Sequence, residues 1–237
     1  LKVLNAGNST VTWSYKNPKV VYDGVGYGPG TTTATARCAG VTMTCKVTVK
    51  NYNGSLAKKM APKANANVLS AFDKLGFKIK YDPTVNYGGC FNAHERTITL
   101  RFVGDDTIYH EMGHFLAFVA GNVDRSSDFA AIYNSEKSKF TGINRSYATQ
   151  NASEYFAESY HDYILQPTET KKKLPKTCSA ISDAVKKVTP TRVARVKEIY
   201  GPEIKIQLPL KLIDRKPRPI FLSSYISRSM SDAYATK

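Results

Sequence analysis

The residues best able to do chemistry are concentrated in one pentapeptide, His110-Glu111-Met112-Gly113-His114. Residues four apart lie on one face of a helix with Cβ atoms about 5–6 Å apart, so both imidazoles can bind one Zn²⁺ at about 2.0–2.1 Å. Glu111 lies about 100° around the helix from His110, where it flanks the metal and can take a proton from metal-activated water. The pattern predicts a zinc site that hydrolyses its substrate.

A catalytic zinc site has three protein ligands and one open position, so a third ligand is needed. The candidates Glu154, Glu158 and His161 share one face of a predicted helix. With Glu154 as ligand, Glu158 lies one turn further on and can hold the far nitrogen of a bound histidine. The alternatives are a capping box for Asn151-x-x-Glu154 and a solvated charge for Glu158. We interpret His161 as a packed or surface residue and His94 as a surface residue.

The predicted secondary structure differs between segments of the chain. Residues 1–50 contain short runs of Val, Thr and aromatic residues separated by glycines, which predict β-strands. Residues 51–62 are predicted to be a linker. Residues 63–189 combine helical and strand periods, which predicts an α+β domain. Residues 190–237 form a basic tail with no clear period.

The pentapeptide is predicted to lie on a helix that begins after Asp105 or Asp106 and ends at Gly121. One apolar stripe supports this helix: Ile108, Met112, Phe115, Leu116 and Val119. A strand is predicted just before it. Further helices are predicted over 68–75, 126–140, 151–166 and 176–188.

The net charge of +15 is concentrated at the two ends of the chain. Residues 1–50 carry six Lys or Arg against one acidic residue, and residues 63–189 carry sixteen against fourteen. The nearly neutral centre argues against a nucleic-acid partner. The basic ends indicate either solubility charge or association with an anionic surface such as a bacterial cell wall. No apolar run is long enough to span a membrane.

None of the four cysteines forms a C-x-x-C pair, which argues against a cysteine-only zinc site. Cys38 and Cys45 flank a short turn and are candidates for a disulfide. The alternative is that all four are small buried apolar residues.

The region around the pentapeptide resembles the catalytic domain of the anthrax lethal factor family, which includes the clostridial Pro-Pro endopeptidases. The resemblance rests on Tyr109 to His114, Glu154-Tyr155-Phe156-Ala157-Glu158, Tyr147 and Pro175-Lys176-Thr177, and it covers about residues 63–189. It implies a zincin-like fold of the gluzincin type.

The same resemblance assigns roles to individual residues. It implies that His110, His114 and Glu154 bind zinc and that Glu111 is the general base. It also implies that Tyr147, seven residues before Glu154, stabilises the oxyanion. From the residues alone, Tyr147 is a packed loop aromatic. The implied activity is that of a zinc metalloendopeptidase acting on a protein substrate.

The family resemblance further implies that the substrate peptide lies extended along an edge strand, here about residues 95–102. Strand addition uses backbone hydrogen bonds that fit any peptide, while side-chain pockets select the sequence. Pocket residues do not match position by position, so no substrate preference carries over.

The N-terminal segment resembles the bacterial immunoglobulin-like group 2 domain. The residues that carry this are Val11-Thr12-Trp13-Ser14, Gly28-Pro29-Gly30-Thr31 and Cys45-Lys46-Val47-Thr48-Val49, with the first strand of such a domain absent. This resemblance implies a partial all-β sandwich and a secreted or cell-surface protein. The whole chain is therefore predicted to have two domains. The alternative function is a non-catalytic adhesion module with a peptidase-like domain, against which the intact Glu111 argues.

Overall fold

A computed structural model of the protein describes residues 1–4, 6–51 and 54–201. Contacts between these residues gather 1–201 into one compact unit. Within the described ranges, no helix has the length and apolar character needed to cross a membrane.

Five strands form in the N-terminal segment: β1 (Thr12–Tyr15), β2 (Val21–Tyr22), β3 (Val25–Gly26), β4 (Gly30–Cys38) and β5 (Val41–Val49). β1, β4 and β5 make an antiparallel sheet in the order β1-β4-β5, and β2 pairs with β3. Ala39 and Gly40 both have positive φ, which closes β4 and β5 with a two-residue hairpin turn. The predicted strands are confirmed, while the immunoglobulin-like sandwich stays a prediction.

The register of this hairpin excludes the candidate disulfide. Cys38 lies opposite Val41 and Cys45 lies opposite Ala34, four residues further along the strand. That offset is about 13 Å, whereas a disulfide joins Cα atoms about 4.4–6.8 Å apart. The pairing of Cys38 with Cys45 is therefore wrong, and all four cysteines are free thiols. The alternative, that the cysteines are buried apolar residues, holds for Cys38 and Cys178. Cys90 is partly exposed and Cys45 is exposed.

The rest of the described chain contains three strands and nine helices. The strands are β6 (Lys78–Tyr81), β7 (Gly89–Asn92) and β8 (Thr97–Leu100). The helices are α1 (Leu56–Met60), α2 (Ala66–Lys74), α3 (Thr107–Ala120), α4 (Ser127–Glu136), α5 (Arg145–Ala148), α6 (Ala152–Leu165), α7 (Pro167–Lys173), α8 (Pro175–Lys187) and α9 (Pro190–Ile199). This combination confirms the α+β class.

The strand order of the second sheet shows that the segment 95–102, where the substrate was predicted to bind, is not an edge strand. Its order is β6-β8-β7, with β6 parallel and β7 antiparallel to β8. β8, within the predicted edge segment 95–102, is therefore the central strand and has no free backbone edge. β7 is the outer strand that packs beside α3. The sequence patterns did not predict this strand, which is four residues long and begins at Gly89.

The predicted linker and tail both contribute buried residues. Ser55 caps α1 by accepting a hydrogen bond from the Lys58 backbone N–H, and Ala57 and Ala61 are buried in the core. In the tail, α9 buries Val193 and Val196 against the same core, and residues 202–237 lie outside the described residues. The core therefore extends beyond the predicted boundaries 63–189 at both ends.

The N-terminal strands contact the second sheet at the end of β6. The ring of Tyr27 packs edge-on against Tyr81 with centroids 6.1 Å apart. Lys19 Nζ lies 2.5 Å from Asp82 Oδ2. These contacts explain why 1–201 form one compact unit.

Helix α3 is buried on nearly every side. Asp105 Oδ1 accepts hydrogen bonds from the backbone N–H and hydroxyl of Thr107, at 2.9 and 2.8 Å, which caps the first turn. Gly121 ends the helix in the left-handed conformation that glycine tolerates best. The predicted stripe is confirmed, since all its members are at most 1% exposed: Ile108, Met112, Phe115, Leu116 and Val119.

Helices α3 and α6 cross in close contact at Gly113. A methyl group on Gly113 would lie 2.7 Å from Ala157 Cα and 3.0 Å from Ala157 O. Both are backbone atoms, which cannot turn aside as a side chain can. This crossing brings the histidines of α3 against the glutamates of α6, because Glu154 and Glu158 flank Ala157 on its helix.

We therefore expect Gly113→Ala to destabilise the protein by up to about 2 kcal/mol and to weaken metal binding. Helix propensity alone favours alanine by about 1 kcal/mol, but overpacking against backbone costs about 1–3 kcal/mol. Denaturant unfolding and zinc titration measure both effects. The control is Gly88→Ala, whose added methyl meets nothing nearer than 3.8 Å. Equal stability of Gly113→Ala and wild type would contradict this view of the crossing.

Candidate metal centre

Three side-chain atoms converge between α3 and α6. His110 Nε2 lies 3.2 Å from His114 Nε2 and 3.2 Å from Glu154 Oε2. The remaining side of the triangle, from His114 Nε2 to Glu154 Oε2, measures 3.4 Å. In the described part of the chain, these three residues are the one group of this kind able to hold a metal ion.

The triangle fits a metal ion with the bond lengths of zinc. Bonds of about 2.0–2.1 Å at tetrahedral angles place neighbouring donor atoms about 3.3–3.4 Å apart. Glu154 Oε2 is buried and makes no hydrogen bond with any described residue, although both ring nitrogens lie within 3.4 Å of it. A buried acceptor without a hydrogen bond is costly unless a cation satisfies it.

The charges around the triangle favour a cation at its centre. Burial lowers the pKa of His110, but the carboxylates of Glu154 and Glu158 outweigh it and raise that pKa to about 10. Burial raises the pKa of Glu154, but His110 and His114 outweigh it and hold the pKa far below its ordinary value. Glu154 is thus a carboxylate, the form that binds metal.

The two interpretations of Glu154 are compatible. Asn151 Oδ1 accepts hydrogen bonds from the backbone N–H groups of Ser153 and Glu154, each at 2.9 Å, and caps α6 without help from the Glu154 side chain. The Glu154 carboxylate turns instead towards the two histidines. The capping box is therefore only half formed, and the side chain remains available as a ligand.

Glu158 lies one turn beyond Glu154 and contacts the far side of the His110 ring. Its Oε2 atom is 2.6 Å from His110 Nδ1. A carboxylate there accepts the Nδ1 proton, which fixes the tautomer whose Nε2 lone pair faces the triangle. The solvated-charge alternative does not fit this contact, because the Glu158 side chain is only 12% exposed.

We expect Glu158→Gln to weaken zinc affinity by about 10–100-fold, the usual effect of losing a carboxylate behind a ligating histidine. The amide keeps the size of the side chain but is a weaker acceptor for the Nδ1 proton. Competition with a chelator of known affinity measures the change. The control is Glu169→Gln, an exposed glutamate on α7. An unchanged affinity in Glu158→Gln would contradict the supporting role.

Glu111 is buried beside the triangle, with only 4% of its surface exposed. Burial raises its pKa above the ordinary value, His110 and His114 lower it, and Glu154 raises it. The backbone N–H of Phe91 on β7 also lowers this pKa. Glu111 is not one of the converging donors, so its carboxylate is available for proton transfer.

Tyr147 on α5 lies near the His110 ring. Its ring centroid is 6.1 Å from that of His110, and about half of the residue is exposed. Burial of the hydroxyl region and the neighbouring Glu154 raise the pKa of Tyr147 well above its ordinary value. The phenol therefore keeps its proton and remains a hydrogen-bond donor.

Two histidines and one aromatic residue complete the description. His161 Nδ1 lies 3.1 Å from Asp162 Oδ1 and does not join the triangle. His94 is exposed. Phe91 stacks on the His114 ring with centroids 6.5 Å apart, a contact that no local pattern indicated because β7 itself was missed.

Residues 94–183 match the family model described as anthrax toxin lethal factor, N- and C-terminal domain. The matched range includes the three converging residues as well as Glu111, Tyr147 and Glu158. The predicted resemblance to this family is thereby confirmed over that range, and it supports a peptidase-type, metal-dependent function.

A comparison with solved structures matches the chain to the Pro-Pro endopeptidase from Paenibacillus alvei, at 22% identity and a TM-score of 0.44. The alignment covers 56% of this chain and 91% of that one. Among curated proteins, no relative matches the sequence.

Proposed function

We propose that this chain, whose residues 94–183 match the lethal factor family, is a zinc-dependent endopeptidase. The observation that carries the proposal is the convergence of His110 Nε2, His114 Nε2 and Glu154 Oε2 within 3.4 Å of one another. The buried Glu111 beside them supports catalysis in particular. A purely structural site has no use for a buried carboxylate that is not a ligand, whereas hydrolysis needs a base.

Two imidazole nitrogens and one carboxylate oxygen are a donor set typical of catalytic zinc. When bound, Zn²⁺ lowers the pKa of a water at its open position towards about 7 and polarises the scissile carbonyl. The residues that would hold it are His110, His114 and Glu154, with Glu158 orienting the His110 ring.

Glu111 moves the proton. It takes a proton from the attacking water while the water oxygen bonds to the carbonyl carbon. It then gives that proton to the amide nitrogen as the C–N bond breaks, so the products are a carboxylate and an amine. Burial raises the pKa of Glu111 above its ordinary value, which makes the carboxylate a better proton acceptor.

Tyr147 donates a hydrogen bond to the negative oxygen that develops during the attack. Its position beside His110 and its raised pKa both support this role, because a donor must keep its proton throughout the reaction. A donor aimed at developing charge in a partly dehydrated site contributes more than the same bond in water.

The substrate is an extended peptide of a protein, held by the outer edge of β7. This strand replaces the predicted segment 95–102, because β8 is paired on both sides and β7 is not. β7 also contacts the site directly, through Phe91 against the His114 ring. Strand addition there would align a backbone carbonyl with the base without requiring a particular side chain.

A secreted or cell-surface location agrees with this function, and the basic N-terminal segment supports association with an anionic wall polymer. Lys16 and Lys46 line one polar groove of that segment together with Asn17 and Thr31–Thr33. Such association depends on charge and would weaken as salt is added.

Hydrolysis of a peptide library by the purified full chain, followed by mass spectrometry, tests the proposal. We expect cleavage at internal bonds, loss of cleavage with a chelator and recovery when Zn²⁺ is added. Cleavage that a chelator leaves unchanged would contradict the proposal. So would a zinc-loaded chain that cuts no member of the library.

A further inference from the structure

We propose that Gly89 is a positioning residue for Glu111. Its lack of a side chain lets the backbone of β7 lie directly against the glutamate and hold its carboxylate beside the two histidines. This inference rests on the proposed function. It adds that the edge strand β7 positions the general base Glu111.

Side-chain atoms of helix α3 already fill the space beside Gly89. A methyl group on this residue would lie 2.5 Å from Glu111 Oε1 and 2.9 Å from Glu111 Cγ. It would also lie 2.7 Å from Thr107 Cγ2. Real Cβ atoms do not approach other heavy atoms so closely, so any larger residue must displace the strand, Glu111 or Thr107.

Neither neighbour on α3 can move away easily. Glu111 is buried, and its carboxylate interacts with the charges of His110 and His114 and with the backbone N–H of Phe91. Thr107 is fixed in the first turn because its backbone N–H and its hydroxyl both donate to Asp105 Oδ1.

The strand is held as firmly as the helix. Gly89 pairs with the buried Leu100 of β8, and the Arg101 backbone N–H donates to the Gly88 carbonyl at 2.9 Å. Two residues further along the same face of β7, Phe91 stacks on the His114 ring. β7 therefore contacts the base at one position and a metal-ligating ring at the next position on that face.

Backbone conformation is not the reason for a glycine here. Gly89 is not among the glycines with positive φ, so alanine can adopt its conformation. The requirement is for space against Glu111. A larger residue would displace the Glu111 carboxylate, which must accept the proton. A shift of about 1 Å in such a group lowers turnover by about 100-fold.

Gly89→Ala and the neighbouring Gly88→Ala form a matched pair. A methyl group on Gly88 meets only Thr107 atoms at 3.8 Å, an ordinary contact, and Gly88 too lacks a positive φ. On a peptide that the wild type cleaves, we expect Gly89→Ala to lose at least about tenfold in kcat with KM and zinc content nearly unchanged. Its melting temperature should fall because of the close contact, while the protein stays folded at the assay temperature. Gly88→Ala should stay within about twofold of wild type, as expected for a methyl group in ordinary contact.

A second variant separates the two contacts. Thr107→Ser removes only the Cγ2 atom and keeps the hydroxyl that donates to Asp105. In the double variant Gly89→Ala/Thr107→Ser, we expect kcat to remain low because the contact with Glu111 persists. Recovery of kcat would show that the helix start, not the base, was disturbed, and would overturn the proposal.

Crystal structures of wild type and Gly89→Ala give a readout that does not depend on activity. We expect the Glu111 carboxylate to shift while the three donor atoms keep their mutual distances. An unmoved Glu111, an unchanged kcat, or a kcat lost only together with zinc or folding would overturn the proposal. A wild type without peptidase activity would instead contradict the proposed function, and the Glu111 position would still decide this inference.

Discussion

Glu111→Gln is expected to keep its zinc and to lose turnover by about 100- to 10,000-fold, the range that a positioned general base contributes. Glutamine has nearly the shape of glutamate, so it fits the buried space against β7. It cannot accept the proton of the attacking water. Because Glu111 is not one of the three converging donors, the metal site should survive the change.

The measurement is kcat together with zinc content on the same protein sample. Glu169→Gln is the control for the change of charge, since Glu169 is exposed on α7. Full activity in Glu111→Gln would remove this residue from the mechanism. Loss of zinc would mean that Glu111 is a ligand, which the geometry of the site contradicts.

Glu154→Ala is expected to lower zinc affinity by more than the about 10–100-fold effect of removing a supporting carboxylate. The change deletes one of three donors and leaves two histidines, which cannot complete a catalytic zinc site. Peptidase activity should fall with the metal.

Zinc titration of the purified variant measures this effect, with His94→Ala as the control. His94 is exposed and lies outside the triangle, so its removal should leave zinc binding at the wild-type level. Zinc bound by Glu154→Ala as tightly as by wild type would exclude Glu154 as a ligand. Zinc lost from His94→Ala would point to a different metal site.

Helix α3 was predictable because the sequence features that define it are local. Its apolar stripe, its acidic cap and its terminal glycine all lie within residues 105–121, and each was confirmed by the structure. The two histidines four residues apart share a face by helix geometry alone. The spacing of Glu154 allowed either a cap or a ligand. In the structure the Asn151 side chain caps α6, which leaves the Glu154 carboxylate free to face the histidines.

The edge strand was not predictable from local signals. Which strand lies outermost depends on pairing between segments distant in sequence, and β7 is only four residues long and begins at a double glycine. One of these glycines, Gly89, gives β7 its close contact with Glu111. Helices α1 and α9 were missed for a related reason, since short segments acquire their buried faces only from the core that they complete.

The adhesion alternative differs from the peptidase in one respect that can be measured. A structural zinc site would bind metal without turnover and would tolerate Glu111→Gln without consequence. The burial of Glu111, which raises its pKa beside the donor triangle, favours the peptidase. A non-catalytic site gains nothing from a buried carboxylate that is not a ligand, because burial of a charge costs free energy.

The most direct test of the metal centre is an anomalous difference map from zinc-loaded crystals, recorded at the zinc absorption edge. We predict one strong peak between His110 Nε2, His114 Nε2 and Glu154 Oε2, at about 2.0–2.1 Å from each. A peak bound by other residues, or no peak between α3 and α6 in crystals grown with zinc, would contradict the account.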